Sequence, residues 1–266
     1  TNMEPRVSTK PLKYELVEVN IITKIFCSFP AFMKDTFLCN PDFDSLISCE
    51  REIVSDRGIF VDKKRYILHL VDNEGYKVDK MKVMGLDTKK TTLPKEVSAI
   101  LNGFIERYLK KESWDAIAQD IVDYKETMET TNDIMSIGLP KGVKKVEHYT
   151  NEYLIHGEGA RLPGHVAASI FYNLCRDEFN DNESMPIISG MKIKVFYLSQ
   201  KYGKFKSIAI PVDIEQVPQW FLDEFVVDRN AHIERLVDKP LQNIIKAIDK
   251  DVPTRQSMLV DDVLGF

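Results

Sequence analysis

Cysteine is scarce in this chain of 266 residues, and the four copies, Cys27, Cys39, Cys49 and Cys175, form no Cys-x-x-Cys pair and have no histidine at ligand spacing. That pattern excludes a disulfide framework and a zinc site as organising devices; buried thiols in a reducing compartment are what it supports. No apolar run approaches the roughly 20 residues that span a bilayer, and the amino terminus lacks a leader pattern. A soluble intracellular protein with no membrane partner is expected. The chain opens Thr1-Asn2-Met3, and this start is not taken as the native one. Internal repeats and low-complexity stretches are absent. With 44% apolar and 29% charged residues, the chain can fill one sizeable core or two smaller ones.

Positive charge is also in deficit, at a formal net of -5, which argues against a general nucleic-acid coat. The sum hides an asymmetry. Between positions 63 and 95, Lys63, Lys64, Arg65, Lys77, Lys80, Lys82, Lys89, Lys90 and Lys95 face only Asp72, Glu74, Asp79 and Asp87. From Ser207 onward acidic residues predominate, so that end repels phosphate.

Coarse patterning places these charges on elements. Residues 12–37 read as mostly helical, with an interruption at Pro30. Short β-branched runs at 46–54 and 66–71, with a turn signal at Asp72-Asn73-Glu74-Gly75 leading to 76–83, predict a small antiparallel sheet. After Pro94, the spacing of Val97, Ile100, Leu101, Phe104, Ile105, Tyr108 and Leu109 gives one face of a helix. Ser113 caps a second helix carrying Trp114, Ile117, Ile121 and Tyr124, antiparallel to the first. Strands and loops are expected to dominate from Ile137 to Pro211, with alternation at 192–195 and a run at 207–210. Two helices close the chain. One is entered at Val217-Pro218; the other is capped by Asp228, buries Ile233, Leu236 and Val237, and continues or restarts after Pro240 with Leu241, Ile244, Ile245 and Ile248.

The run Arg57-Gly58-Ile59-Phe60-Val61-Asp62-Lys63-Lys64-Arg65-Tyr66, followed by the stretch from Val83 to Pro94, resembles the end of the palm in family B DNA polymerases of T-even-type bacteriophages. Pro163-Gly164-His165-Val166 with Tyr172-Asn173, then Ser207-Ile208-Ala209-Ile210-Pro211 and Lys239-Pro240-Leu241, resemble the thumb of that family. The end, Val260-Asp261-Asp262-Val263-Leu264-Gly265-Phe266, is similar to its clamp-docking peptide. The resemblance covers roughly the last four-fifths of the chain. It implies an α+β fold in which a small antiparallel palm-remnant sheet is followed by a mixed helical and β thumb domain. The implied divisions are 1–93 for the N-terminal helical segment with the palm part, 94–255 for the thumb, and 256–266 for a clamp-binding tail.

Lys-Lys-Arg-Tyr has a mechanism of its own. The minor groove shows acceptors at every base pair, so a lysine there touches any correctly paired duplex without reading sequence. By the resemblance, Lys63 and Lys64 probe that groove, Arg65 touches DNA or supports the fold, and Tyr66 presses on primer sugar or phosphate. The bland alternative is an exposed strand edge. Lys89, Lys90, Thr91 and Thr92 lead into a helix start, where cations, hydroxyls and free N–H groups bind phosphate together; a helix cap by Thr92 and nothing more is the alternative. Lys141, Gly142 and Lys144 fit the thumb turn that follows the duplex backbone, with Gly142 allowing close approach, or else a solvated charge run. His165 is either a contact or a core histidine. Two positions beyond it the family commonly places an arginine, and this chain has Ala167.

Nucleotidyl transfer of this type needs two metal ions held by aspartates. The family's aspartate motifs lie upstream of the matched region, and the Asp42-Phe43-Asp44-Ser45-Leu46 echo stands too close to Lys63 to replace them. No catalytic residue, metal ligand or cofactor is therefore expected on this chain, and two Mg ions are expected on the missing catalytic part. The chain is expected to be inactive alone. Implied partners are double-stranded primer–template DNA, the N-terminal polymerase half or the remainder of the polymerase, and a sliding clamp reached through Val263, Leu264 and Phe266. The expected location is the cytoplasm of a phage-infected bacterial host. A free-standing duplex-binding and clamp-tethering module is the alternative; an unrelated α+β interaction domain is a third reading.

Overall fold

Alternating β-branched and aromatic residues make three strands, β1 (Ile53–Asp62), β2 (Arg65–Asn73) and β3 (Tyr76–Met84), which pair antiparallel in the order β1-β2-β3. The structure is a computed structural model that describes residues 52–257, with Phe32 and residues 34–38. Two units divide the chain, Thr1–Gly85 and Leu86–Phe266; the sheet belongs to the first. Its β2–β3 turn falls at the expected Asp72-Asn73-Glu74-Gly75. Glu74 and Gly75 take φ of 54° and 87°, and the Asp72 carboxylate accepts the Gly75 N–H at 3.0 Å, which is how such a tight hairpin is closed. Ile59, Ile67, Leu68 and Leu70 are buried. Of the 12–37 helix, only Phe32 and residues 34–37 are described, and they are helical. Residues 46–51 of the expected first strand lie outside the described residues.

In the second unit, α1 (Lys95–Leu109) and α2 (Trp114–Thr130) form as the spacing predicts. The Ser113 hydroxyl accepts the Ala116 N–H at 3.3 Å. Val97, Leu101, Phe104, Ile105 and Leu109 are buried, whereas Ile100 is 38% exposed and marks the edge of the stripe. A second antiparallel sheet, in the order β4-β5-β6, consists of β4 (Leu139–Gly142), β5 (Lys192–Tyr202) and β6 (Phe205–Pro211).

Strands and loops make up most of the region from 137 to 211, as expected, but it also holds helices that its residue spacing did not signal. These are α3 (Val146–His156) and α4 (Gly164–Glu178). α4 packs on β6 and buries Val166, Ala168, Ser169, Ile170, Phe171, Tyr172 and Cys175, and burial pushes the Cys175 thiol up to about 12, so it is inert.

The closing helices are α5 (Gln219–Glu224), α6 (Arg229–Ile233), a π turn (Glu234–Asp238) and α7 (Lys239–Lys246). The Asp228 carboxylate caps α6 by accepting the Ala231 N–H at 2.9 Å. The chain continues through the π turn without a break. Pro240, which has no N–H to donate, stands early in α7, directly after the wider turn. Lys125, buried on α2, donates to the Pro253 carbonyl at 2.8 Å and pairs with Asp238 at 2.5 Å, tying α2 to the last described segment. Among the described residues no helix is long and apolar enough to cross a membrane.

Candidate nucleic-acid interface

The Lys-Lys-Arg-Tyr element straddles the β1–β2 turn. Lys63 and Lys64 are the turn residues and both are exposed; Arg65 and Tyr66 begin β2 and are half-buried. Lys64 takes φ of 60°, a left-handed conformation uncommon outside glycine and asparagine. Among the described residues the two lysine side chains make no ion pair and no hydrogen bond. Arg65 does different work, donating from Nε to the Gly85 carbonyl at 3.1 Å and so fastening the end of β3 to the start of β2. Gly85 closes the same corner. Its φ is +64°, and a Cβ there would lie 2.4 Å from the Lys64 carbonyl oxygen, so the turn that presents the lysines requires glycine opposite it. Tyr66 lies across from Phe60 and Met84, its ring centroid 6.0 Å from that of Phe60. Phe60 is 71% exposed. The result is a cationic turn beside an aromatic strip, a combination of charge and flat apolar surface.

In the second unit, a 3₁₀ turn (Asp87–Lys89) precedes exposed Thr91 and Thr92. Thr88 is buried and donates to Asn102 at 3.0 Å, anchoring the loop on α1. Thr92 is not the cap of α1: Pro94 occupies that position and no side chain caps the helix. The first N–H groups of α1 thus have no intrahelical acceptor. Lys90 is paired with Asp87, leaving Lys89 as the freer cation of this loop.

Lys141 and His165 come together on a cleft of about 940 Å³, whereas Gly142 and Lys144, both exposed, are not among its lining residues. A Cβ at Gly142 would meet open space. The cleft adds residues that sequence reasoning missed, chiefly Arg161, Lys204 and Lys206. Lys204 and Lys206 belong to the basic run Lys201-Tyr202-Gly203-Lys204-Phe205-Lys206, a local signal that could have drawn attention, whereas Arg161 stands apart from it. His165 is held below the ordinary histidine range, first by burial and then by the charge of Lys141. Ala167, where the resemblance expects arginine, also lines this cleft.

No three His, Cys, Asp or Glu side chains among the described residues converge so as to hold a metal ion. The donor set for a two-metal centre is not found there, and no catalytic step is assigned to these residues. Asp42 and Asp44, like Val263, Leu264 and Phe266, lie outside the described residues.

An α+β chain in which Lys63 and Lys64 on a hairpin of one unit, and Lys141, Arg161 and Lys206 around a cleft of the other, make no ion pair among the described residues is chemically suited to polyanions, nucleic acid foremost. No family model matches the chain. A DNA-directed DNA polymerase of Escherichia phage RB69 is 27% identical over 217 residues, which amount to 79% of this chain and 23% of that polymerase. The chain is thus related to a phage DNA polymerase and spans less than a quarter of the relative's length.

Proposed function

We propose that this chain is the C-terminal palm and thumb portion of a phage-type replicative DNA polymerase, and that it holds the newly made primer–template duplex while the metal-bound chemistry takes place on polymerase residues outside it. The observation that carries this reading is the β1–β2 turn. Lys63 and Lys64 are exposed and free of ion pairs among the described residues, Tyr66 stands beside Phe60, and all four belong to a chain similar to a DNA polymerase. Lysine ammonium groups in the minor groove meet acceptors common to all correct pairs, while phosphate contacts at the Lys89–Thr92 loop fix position without reading sequence. A clamp-docking role for Val263, Leu264 and Phe266 belongs to the same proposal; tethering raises local concentration at the primer end without demanding tight direct binding.

The experiment has two arms. The full chain is titrated onto a labelled primer–template duplex at several salt concentrations, and is mixed with a polypeptide carrying the upstream aspartate motifs in a primer-extension assay. Binding that weakens steeply with salt, together with restored extension, is the expected result. Lys63→Ala with Lys64→Ala should reduce both. Tight duplex binding with no rescue would favour the free-standing module, and salt-insensitive or absent binding would overturn the reading.

A further inference from the structure

Part of the second unit is unsuited to nucleic acid. Two stretches contain no lysine or arginine: 177–191, with four acidic residues, and 207–228, with five. The fold brings them together where α4 ends and α5 begins. Trp220 of α5 donates from Nε1 to the Asp181 carboxylate at 2.9 Å and stacks on Phe179, with ring centres 5.5 Å apart and planes within 9°. Asp181 also accepts the N–H groups of Glu183 and Ser184, at 3.1 and 2.9 Å, which sets the turn that leads to Met185. The Tyr172 hydroxyl donates to the Met185 carbonyl at 3.3 Å, and the Tyr172 ring lies 5.7 Å from that of Trp220.

Phe179 and Met185 are exposed, and Trp220 is half-buried. Single exposed apolar side chains are ordinary. Here a fixed aromatic pair and a flexible thioether are linked through Tyr172, and apolar clusters of that kind mark protein-binding surfaces. The pair is already ordered by its stack and its hydrogen bond, so little side-chain freedom is lost when a ligand covers it. Glu178 precedes Phe179, Glu183 lies between Asp181 and Met185, and Asp223 stands three positions after Trp220 on α5. All three are exposed and pair with no cation among the described residues. A rim of that charge selects a cationic ligand, and the aromatic rings attract lysine and arginine as well as apolar groups.

We propose that this surface docks a basic amphipathic segment of a protein partner, its large apolar side chains on Phe179, Met185 and Trp220 and its lysines or arginines on Glu178, Glu183 and Asp223. The charge decides the occupant: a neutral apolar peptide would leave three carboxylates without counter-charge at the rim, and nucleic acid is repelled by them. None of these side chains lines the cationic cleft, so a partner here and a polyanion there do not compete for the same groups. The docking does not depend on duplex holding.

The test uses the full chain and short fluorescein-labelled peptides, read by anisotropy. One peptide places leucine and lysine at helical spacing, a second has serine for every leucine, and a third has glutamate for every lysine. The leucine–lysine peptide should bind with saturation and more weakly as salt is raised, and either replacement should weaken it at least about tenfold. Reversing charge at the rim with Glu183→Lys and Asp223→Lys should also cost about tenfold, whereas Asp115→Lys with Glu129→Lys on α2 should leave affinity within about twofold. Met185→Ser should cost about threefold or more. All of these side chains are exposed, and an unchanged thermal melt shows that each variant is folded. Equal loss from both pairs of reversals would reduce the binding to overall charge and overturn the proposal. So would a serine peptide that binds as tightly as the leucine one, or no binding of the leucine–lysine peptide to the intact chain. If sedimentation shows a dimer that the rim reversal dissolves and the peptide does not, the occupant is a second copy and the assignment fails.

Discussion

The sheet of 53–84 and the unit that follows are held by different forces. In the sheet, few apolar side chains are buried, and polar ties cross between strands and their flanks: His69 lies between Asp56 and Asp79, Lys82 pairs with Glu52 at 2.6 Å, and Asp72 closes the hairpin. The second unit is held by burial. Phe196, Tyr172 and Phe221 are among its fully enclosed side chains, and Phe171 stacks on Phe205 with ring centres 4.7 Å apart. The comparison teaches where the binding cations can be altered safely. Lys63, Lys64 and Lys89 stand on turns outside these contacts, unlike Arg65, Lys90 and Lys204, which are engaged, so by the proposed reading removal of the first three should cost affinity without unfolding the chain.

The largest effect that would break this contrast comes from the buried side. Phe196 is 0% exposed, with its ring against Phe221 and His232. Phe196→Ala should destabilise the second unit by about 3–5 kcal/mol through lost burial and the cavity left behind. Urea unfolding followed by tryptophan fluorescence reports on that unit, since Trp114 and Trp220 both belong to it. A loss below about 1 kcal/mol would mean that burial is not what holds it.

Next in size is acid. His232 is fully buried on α6, and its Nε2 accepts the Tyr197 N–H at 2.9 Å, joining α6 to β5. Burial lowers it to about 4 from an ordinary 6.5, with the charges of Arg235 and Arg229 adding to the effect. The unfolded chain therefore takes up this proton first. The stabilisation is complete above about 6.5 and is lost as pH falls from there to about 4, on the order of 3 kcal/mol in all. His232→Gln, which keeps an acceptor for Tyr197, should flatten the acid limb of a pH-dependent urea series. An unchanged limb would place the acid sensitivity elsewhere.

A smaller effect sharpens the contrast at the binding turn itself. Gly85→Ala adds a Cβ 2.4 Å from the Lys64 carbonyl, at a φ of +64°. The cost is about 1–2 kcal/mol from the left-handed backbone alone, with displacement of the Lys63-Lys64 turn besides. Duplex affinity should fall although no cation is removed. Equal affinity would show that the geometry of that turn does not matter to binding.

What could be read from the sequence follows the same division. The hairpin at 72–75 and the helices of 95–109 and 114–130 were legible because each has one apolar face and a local turn or cap signal, Gly75 and Ser113 among them. α4 was hidden for a different reason: it buries residues on most of its circumference, and Pro163-Gly164 at its start reads as a loop. α3 was hidden because only Val146 is buried on it, while Leu154 and Ile155 are each 71% exposed. Lys63 and Lys64 could be found by motif, being adjacent. The cleft could not, because Lys141, Arg161, His165 and Lys206 meet only after β4, α4 and β6 are in place.

The smallest expected effect runs opposite to that of His232. The His69 ring makes contacts of 2.6 Å from Nδ1 to Asp56 and 2.8 Å from Nε2 to Asp79. Both nitrogens face carboxylates, and the hydrogen bonds to Asp56 and Asp79 raise the imidazole above its ordinary range. Here the folded state binds the proton more tightly. The contribution is fully present below about 6.5 and disappears as pH rises through the raised value. Because Asp56 and Asp79 are 42% and 74% exposed, solvent screens the pair and His69→Gln should cost within about 1 kcal/mol at pH 6 and almost nothing at pH 9. NMR titration of the His69 ring protons in the full chain measures this directly. A midpoint at or below 6.5 would remove the charge clasp from the sheet, and with it the opposite pH responses that set the two regions apart.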